Sequence, residues 1–331
     1  MTTSRSRGVR LTALAAVVVL AATACSGGGR EKTEDTGGGG ANAAGSSGYT
    51  IAFITHETPG DTFWDKIKAG AQQAAKDQGV TLKYSNDPSA ANQAVLIQNA
   101  VDSKVSGIAT TLVTPNALAG AVKAATDAKI PVVGLNSGLD QYKQLGALMY
   151  FGSDETLAGQ TAGQRIAQAG GKHPLCVIQQ AGSVALEARC AGVKSAVPGT
   201  ENIQVNGSDD AAVTSTLQAK LSQDKSIDYI VTLGAPIAID ALKAMDASGA
   251  KPKLVTFDLN QEAAQDIQDG KIEFSIDQQP YVQGYMAVTS LYLYLKNGND
   301  IGGGKAVLTG PSFVDKSNIG TILPFTKNNT R

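Results

Sequence analysis

Two histidines and three cysteines are all that 331 residues hold of the side chains that most often ligate transition metals. His56 and His173 lie far apart, as do Cys25, Cys176 and Cys190, so no zinc-ligand or iron–sulfur spacing occurs; neither a metal nor any other cofactor is expected. An excess of one charge is also missing. Lys+Arg number 28 against 29 Asp+Glu, a formal net charge of −1, which leaves no electrostatic footprint for nucleic acid. The runs GGGG at 37–40 and GGG at 302–304 are not phosphate loops, because neither leads into Gly-Lys-Ser/Thr and no GxGxxG follows a strand. Beyond residue 24 no apolar stretch is long enough to span a bilayer. What the chain does have is 42% hydrophobic residues against 17% charged, enough over this length to build two domain cores.

Residues 1–10 carry Arg5, Arg7 and Arg10 and no acid, and Leu11 to Ala24 (LTALAAVVVLAATA) is an apolar run closed by small side chains. This is the plan of a secretory signal peptide over 1–24. Cys25 follows at once, and the segment resembles a bacterial lipoprotein signal, which implies lipidation of Cys25 and anchoring on the outer face of the cytoplasmic membrane. Ala22 departs from that pattern, which usually has leucine there, with Leu20 two residues further out. Ordinary secretion is the alternative. Without residues 1–24 the chain has 25 basic and 29 acidic side chains, a net of about −4. Residues 26–48 (SGGGREKTEDTGGGGANAAGSSG) have too little apolar content to offset the entropy of folding, so 25–48 reads as a tether. Export also favours oxidation. Cys176 in the apolar strand LCVIQQ and Cys190 in the helical segment LEARCAGV are then expected to form a disulfide, two buried thiols being the alternative.

From Tyr49 onward short β-branched runs alternate with segments of helical period, the pattern of parallel sheets covered by helices. Strands are expected at 50–55, 80–85, 107–112, 131–135 and 148–152, then at 174–180, 202–206, 227–233, 253–257 and 272–277. Two series of five strands predict an α/β chain of two doubly wound parallel-sheet domains: 49–152 plus 279–308, and 153–278 plus 309–331. Three crossings between them make a hinge, and hinged domains close around ligands. Ligands of open parallel sheets sit beyond the carboxyl ends of the strands, which singles out His56, Asn136, Gln180, Gly234, Asp258 and Gln278.

Several ordered landmarks now carry a resemblance over about residues 49–315: Phe63-Trp64 after the first strand, IPVVGLN at 130–136, GSDETLAG at 152–159, LEARCAG at 186–192, LVTFD at 254–258 and IDQQPYVQG at 276–284. The chain resembles the ribose-type periplasmic sugar-binding proteins that serve ABC transporters, the type I periplasmic-binding-protein fold. The resemblance implies a monomer without catalytic residues, whose partners are a neutral sugar or sugar alcohol and a membrane permease. A receptor that reports a sugar or autoinducer to a membrane sensor is the alternative.

The residues suit such a ligand. A sugar or polyol offers an apolar CH face for aromatic rings and a fan of hydroxyls for planar polar groups. Phe63 and Trp64 supply rings, His56 a donor, and Asp61 either a ligand contact or the cap of helix 61–78. Position by position, the family's motifs place ligand contacts at Asn136, Arg189, Asp258 and Gln278. The structural alternatives are a turn at Asn136, a surface ion pair of Arg189 with Glu187 or Asp154, a helix cap at Asp258 and a hinge hydrogen bond at Gln278. Asp61 and Asp258 are accompanied by amides and a guanidinium, which suits holding a ligand better than the paired-carboxylate chemistry of a glycosidase. Ser137 stands where ribose binders place a second arginine, and Gly234-Ala235 where they place Asn-Asp, so ribose itself is not the expected ligand.

Overall fold

The computed structural model describes residues 46–58 and 60–331; the signal-peptide segment, Cys25 and most of the tether lie outside them. The chain opens with β1 (Thr50–Thr55), α1 (Phe63–Gln78), β2 (Thr81–Asn86), α2 (Ala90–Asp102), β3 (Gly107–Thr111), α3 (Pro115–Asp127), β4 (Val132–Leu135), α4 (Tyr142–Leu145) and β5 (Met149–Ser153). It continues with α5 (Glu155–Gln168), β6 (Pro174–Ile178), α6 (Val184–Ala196), β7 (Glu201–Gln204), α7 (Asp210–Gln223), β8 (Tyr229–Thr232), α8 (Ala235–Ser248), β9 (Lys253–Phe257), α9 (Gln261–Asp269) and β10 (Phe274–Asp277). Last come α10 (Pro280–Asn297), β11 (Val307–Gly310), β12 (Ser312–Asp315) and α11 (Ile319–Thr326).

Two six-stranded sheets result, ordered β11-β5-β4-β3-β1-β2 and β12-β10-β9-β8-β6-β7. The orders are the same pattern used twice, so β4 and β9 hold equivalent places, as do β1 and β6. The chain leaves the first sheet after β5, returns after β10 to add β11, and leaves again to add β12. Pairing is parallel except for β12, which runs antiparallel to β10 with Phe274 opposite Asp315.

Burial explains the sequence pattern. Central β1 is covered on both faces, whereas edge strand β2 alternates exposed and half-buried positions. In α1 the buried Phe63, Trp64, Ile67, Ala71 and Ala74 recur at helical spacing, and Gly79 ends the helix at φ 63° in the left-handed region. Each sheet carries an apolar cluster on either face: Phe53, Ile67 and Leu291 with Ile54, Leu112 and Val122 in the first, Leu175, Val213 and Ala238 with Cys176, Val193 and Phe257 in the second. Within the last, Cys176 and Cys190 form a disulfide across β6 and α6, with Cα atoms 5.8 Å apart. Four elements are additional to those expected: α4, β11, β12 and α11. The strands among them have only four residues each, and α11 contains Pro324, so none shows a readable period.

Two helix pairs are packed through glycine. A Cβ on Gly70 of α1 would stand 2.0 Å from the Tyr281 carbonyl oxygen of α10, and one on Gly284 of α10 would stand 2.0 Å from the Ile67 oxygen. In α5 and α6 the same relation recurs: a Cβ on Gly159 would lie 2.1 Å from the Arg189 oxygen, and one on Gly192 2.5 Å from the Thr156 oxygen. Backbone touches backbone at both places, and no larger residue fits.

Candidate functional site

A cavity of about 610 Å³ opens at the carboxyl ends of the strands of both sheets. Its walls include all eight residues singled out for ligand contact: His56, Asp61, Phe63, Trp64, Asn136, Arg189, Asp258 and Gln278. The first sheet brings His56 from the end of β1 and Asn136 from the end of β4; the second brings Asp258 from the end of β9 and Gln278 from the end of β10. Asn136 and Asp258, which follow the equivalent strands β4 and β9, both adopt left-handed backbone, φ 64° and 62°. Each is pinned by its amide to the next strand, Asn136 to the Phe151 oxygen and Asp258 to the Ile276 oxygen, both at 2.9 Å. Asparagine and aspartate tolerate that conformation better than other non-glycine residues, so backbone chemistry alone restricts what can stand there.

Phe63 and Trp64 serve two purposes. They belong to the apolar core of the first sheet and line the cavity, with ring centroids 5.1 Å apart at 90°. His56 meets the Trp64 ring edge-on at 4.7 Å and shares a 2.8 Å hydrogen bond with the Thr111 hydroxyl, which is itself held by the buried Gln93 amide. Burial pushes the His56 pKa down to about 3, so the ring is neutral near pH 7. Thr62, not Asp61, holds the N-cap position of α1; Asp61, one residue earlier, accepts from the Phe63 N–H at 3.0 Å while lining the cavity, and burial raises its pKa. Leu186, Leu233 and Ile237 add aliphatic surface to the lining.

Arg189 is the cation of the site, and its partner differs from both expected ones. It is buried, with Nε 2.6 Å from Glu155 Oε2 at the start of α5, Nη1 donating to the Leu233 oxygen at 3.0 Å, and Asp258 Oδ2 3.7 Å away. The guanidinium also lies 4.7 Å from the centre of the Phe257 ring. Asp258 does not cap α9; Asn260 does, through the Ala263 N–H. Burial pushes the Asp258 carboxyl up to about 7, against the opposing pull of Arg189 and of the Gln278 hydrogen bond. Lys66 stands behind the first turn of α1, 1% exposed, donating to the Thr62 oxygen at 3.2 Å; burial lowers its pKa and Asp258 and Asp61 oppose the drop.

Gln278 joins the halves. Its Nε2 donates to Asp258 Oδ1 at 2.9 Å, while its Oε1 accepts from Asn136 Nδ2 at 3.2 Å and from Gln283 at 2.9 Å. An unbroken side-chain chain thus runs from the first sheet to the second through the segment that crosses between them. The Val184 N–H, donating to the Val113 oxygen at 3.4 Å, adds a backbone link at the cavity edge.

Sequence reasoning missed several lining residues. Gln179 was counted inside a strand over 174–180, but β6 stops at Ile178, which frees Gln179 to face the cavity. Asn206 and Asp209 come from the loop after β7 and Asp210 opens α7, a stretch whose NGSDD composition signals only a solvated turn. Among the described residues a further His-and-carboxylate grouping, His173, Glu201 and Asp224, lies away from the cavity and is occupied by the Lys220 ammonium, 2.8 Å from Glu201 and 3.4 Å from Asp224.

Two parallel-sheet lobes whose strand ends converge on one cavity, lined by neutral amides, a balanced guanidinium and aromatic rings, define a bilobal small-molecule binding protein. The chain belongs to the periplasmic binding protein domain family, whose model matches residues 51–300. It is 54% identical to a carbohydrate transporter from Acidothermus cellulolyticus 11B whose crystal structure is in complex with myo-inositol; the match covers 86% of this chain and 99% of that one, with a TM-score of 0.85. It is also 25% identical over 296 residues to the xylose/arabinose-binding protein XylF of Sulfolobus acidocaldarius, covering 83% of this chain and 73% of that protein. The ribose import binding protein RbsB of Salmonella typhimurium is 28% identical over 251 residues, covering 72% of this chain and 82% of that protein.

Proposed function

We propose that this protein is the solute-binding component of an ABC importer and captures a neutral cyclic polyol or monosaccharide in the cavity between its two lobes. The observation that carries this reading is the cavity's chemistry. Arg189 and Glu155 cancel, Asp258 is poised near neutrality, His56 is uncharged, and the remaining polar groups are amides, hydroxyls and the carboxyls of Asp61, Asp209 and Asp210. An anionic ligand would find no unpaired cation among the lining residues and would face Asp209 and Asp210, whereas hydroxyls find groups that both donate and accept. The likeness to the protein crystallised with myo-inositol supports that polyol as the first ligand to test. The lobes in this reading are 49–152 plus 279–308 and 153–278 plus 309–331, closing about the crossings that include Gln278. Lipidated Cys25 and the tether to 48 hold a monomer at the membrane beside its permease. Among the described residues no helix is long and apolar enough to cross a membrane.

Titration calorimetry of residues 26–331 against myo-inositol, D-ribose, D-xylose, D-galactose, an amino acid and a nucleoside tests the reading. One polyol or sugar is expected to bind, with loss in Asp258→Ala and Arg189→Ala. Binding of the amino acid or nucleoside alone would overturn the ligand class. Mass spectrometry of the membrane fraction, with Cys25→Ser as control, tests the anchor.

A further inference from the structure

We infer that Gln179 sets ligand specificity, supplying from the end of β6 the amide that Gly234 lacks; this rests on the reading of the cavity as a polyol site. Gly234 precedes α8, and its backbone, φ −167° and ψ 151°, is extended geometry open to any residue. Conformation therefore does not require glycine there. Space is what is tight: an ideal Cβ on Gly234 would stand 3.1 Å from Gln179 Nε2, so a side chain at 234 would push the Gln179 amide aside. On its other flank a Cβ on Gly207 would lie 2.8 Å from Gln179 Cβ and 2.9 Å from the Gln179 oxygen, an oxygen that accepts from the Gly207 N–H at 3.0 Å. Two glycines, neither at positive φ, thus form a slot around one glutamine side chain.

The slot leaves the amide oxygen unsatisfied. Gln179 Oε1 is sealed from solvent and has no hydrogen-bond partner among the described residues, although Gln179 lines the cavity. A buried amide oxygen without a donor is costly, and a turn of this half-buried side chain toward the cavity it lines would let a ligand supply one. The donor it calls for is a hydroxyl, and the Nε2 beside it can donate to the neighbouring oxygen, so Gln179 reads a pair of adjacent hydroxyls. By sheet order β6 is the counterpart of β1, which makes Gln179 the strand-end residue of the second lobe that matches His56 in the first.

The test is calorimetry of wild type, Gln179→Met, Gln179→Ala and Gly234→Ala with myo-inositol, D-ribose and D-xylose, beside melting curves without ligand. Methionine keeps the length of glutamine and removes its polar atoms, so affinity for the wild-type ligand should fall roughly 5- to 100-fold with little change in ligand-free melting. Gly234→Ala should weaken binding less, because it displaces the amide without removing it. Monodeoxy analogues of the bound ligand locate the contact: the one lacking the hydroxyl read by Gln179 should bind wild type and Gln179→Met equally. Should Gln179→Met fold poorly, Gln179→Ala gives the same comparison without added bulk. Wild-type affinity in both Gln179 variants would overturn the inference while leaving the cavity reading intact. Failure of wild type to bind any of these three ligands or D-galactose would overturn both.

Discussion

Breaking the Glu155–Arg189 pair should have consequences that differ according to which partner is removed. The two groups are 2.6 Å apart and their side chains are 7% and 4% exposed, so neither can turn to water when the other is lost. Removing one partner of a buried pair typically costs about 3–5 kcal/mol. Glu155→Gln leaves a guanidinium that cannot shed its proton, held by the Leu233 oxygen and by Asp258 at 3.7 Å; that residual support places the loss near the low end, about 3 kcal/mol. Arg189→Met leaves two buried carboxyls, Glu155 and Asp258, both already raised in pKa by burial and now without the cation that opposed the rise. They can take up protons, so this variant should be mildly destabilised at pH 5 and progressively worse toward pH 8. In melting experiments a loss of about 3 kcal/mol corresponds to a fall of roughly 5 °C for a chain of this size. The pair Glu155→Gln with Arg189→Met should recover much of the loss of either single change, since no uncompensated charge between 155 and 189 remains. Melts at pH 5 and pH 8 decide the matter: an Arg189→Met deficit that is the same at both, or single changes costing under about 1 kcal/mol, would refute the account of a mutually dependent buried pair.

Two further outcomes follow from the geometry. Asp258 has a folded pKa of about 7, raised by burial, so between the ordinary carboxylate range and about 7 the folded state binds more protons than the unfolded one; ligand-free stability from this group declines as pH rises through that window. His56, lowered to about 3, acts in the opposite sense, contributing instability as pH falls below about 6.5 because the unfolded ring protonates first. Denaturant titrations across pH 4–8 should therefore show a shallow wild-type profile that gains a rising slope in Asp258→Asn and a falling one in His56→Gln, and parallel profiles would contradict the assignments. Replacing both Cys176 and Cys190 by serine opens a loop whose ends are 14 residues apart, and chain entropy predicts a loss of about 3 kcal/mol, read as a lower urea midpoint.

The lobes were legible because their central strands are buried on both faces and appear as short β-branched runs, and the strand-end rule then led to His56, Asn136, Asp258 and Gln278 without any structure. Glu155 was not legible as Arg189's partner. A glutamate in the first turn of a helix reads as a solvated complement to the helix dipole, and nothing local shows that a helix beginning 29 residues later lays an arginine across it. Gln179 was hidden by a boundary error of two residues, enough to turn a cavity-facing residue into a strand interior. The acids of the 206–210 stretch were hidden by composition, since turn-forming residues look the same whether they face solvent or a ligand.

The glycine contacts between helices bear on how the molecule can acquire new ligands. α5 follows the first crossing between sheets and is clamped through Gly159 and Gly192 to α6, which carries Arg189; α10 follows the second crossing and is clamped through Gly70 and Gly284 to α1, which carries Phe63 and Trp64. Each crossing is thereby geared to one wall of the cavity by backbone contact alone. Side chains at the strand ends, Gln179 among them, take no part in that gearing. A lineage can therefore exchange the residues that recognise one sugar for those that recognise another and inherit the same moving parts unchanged.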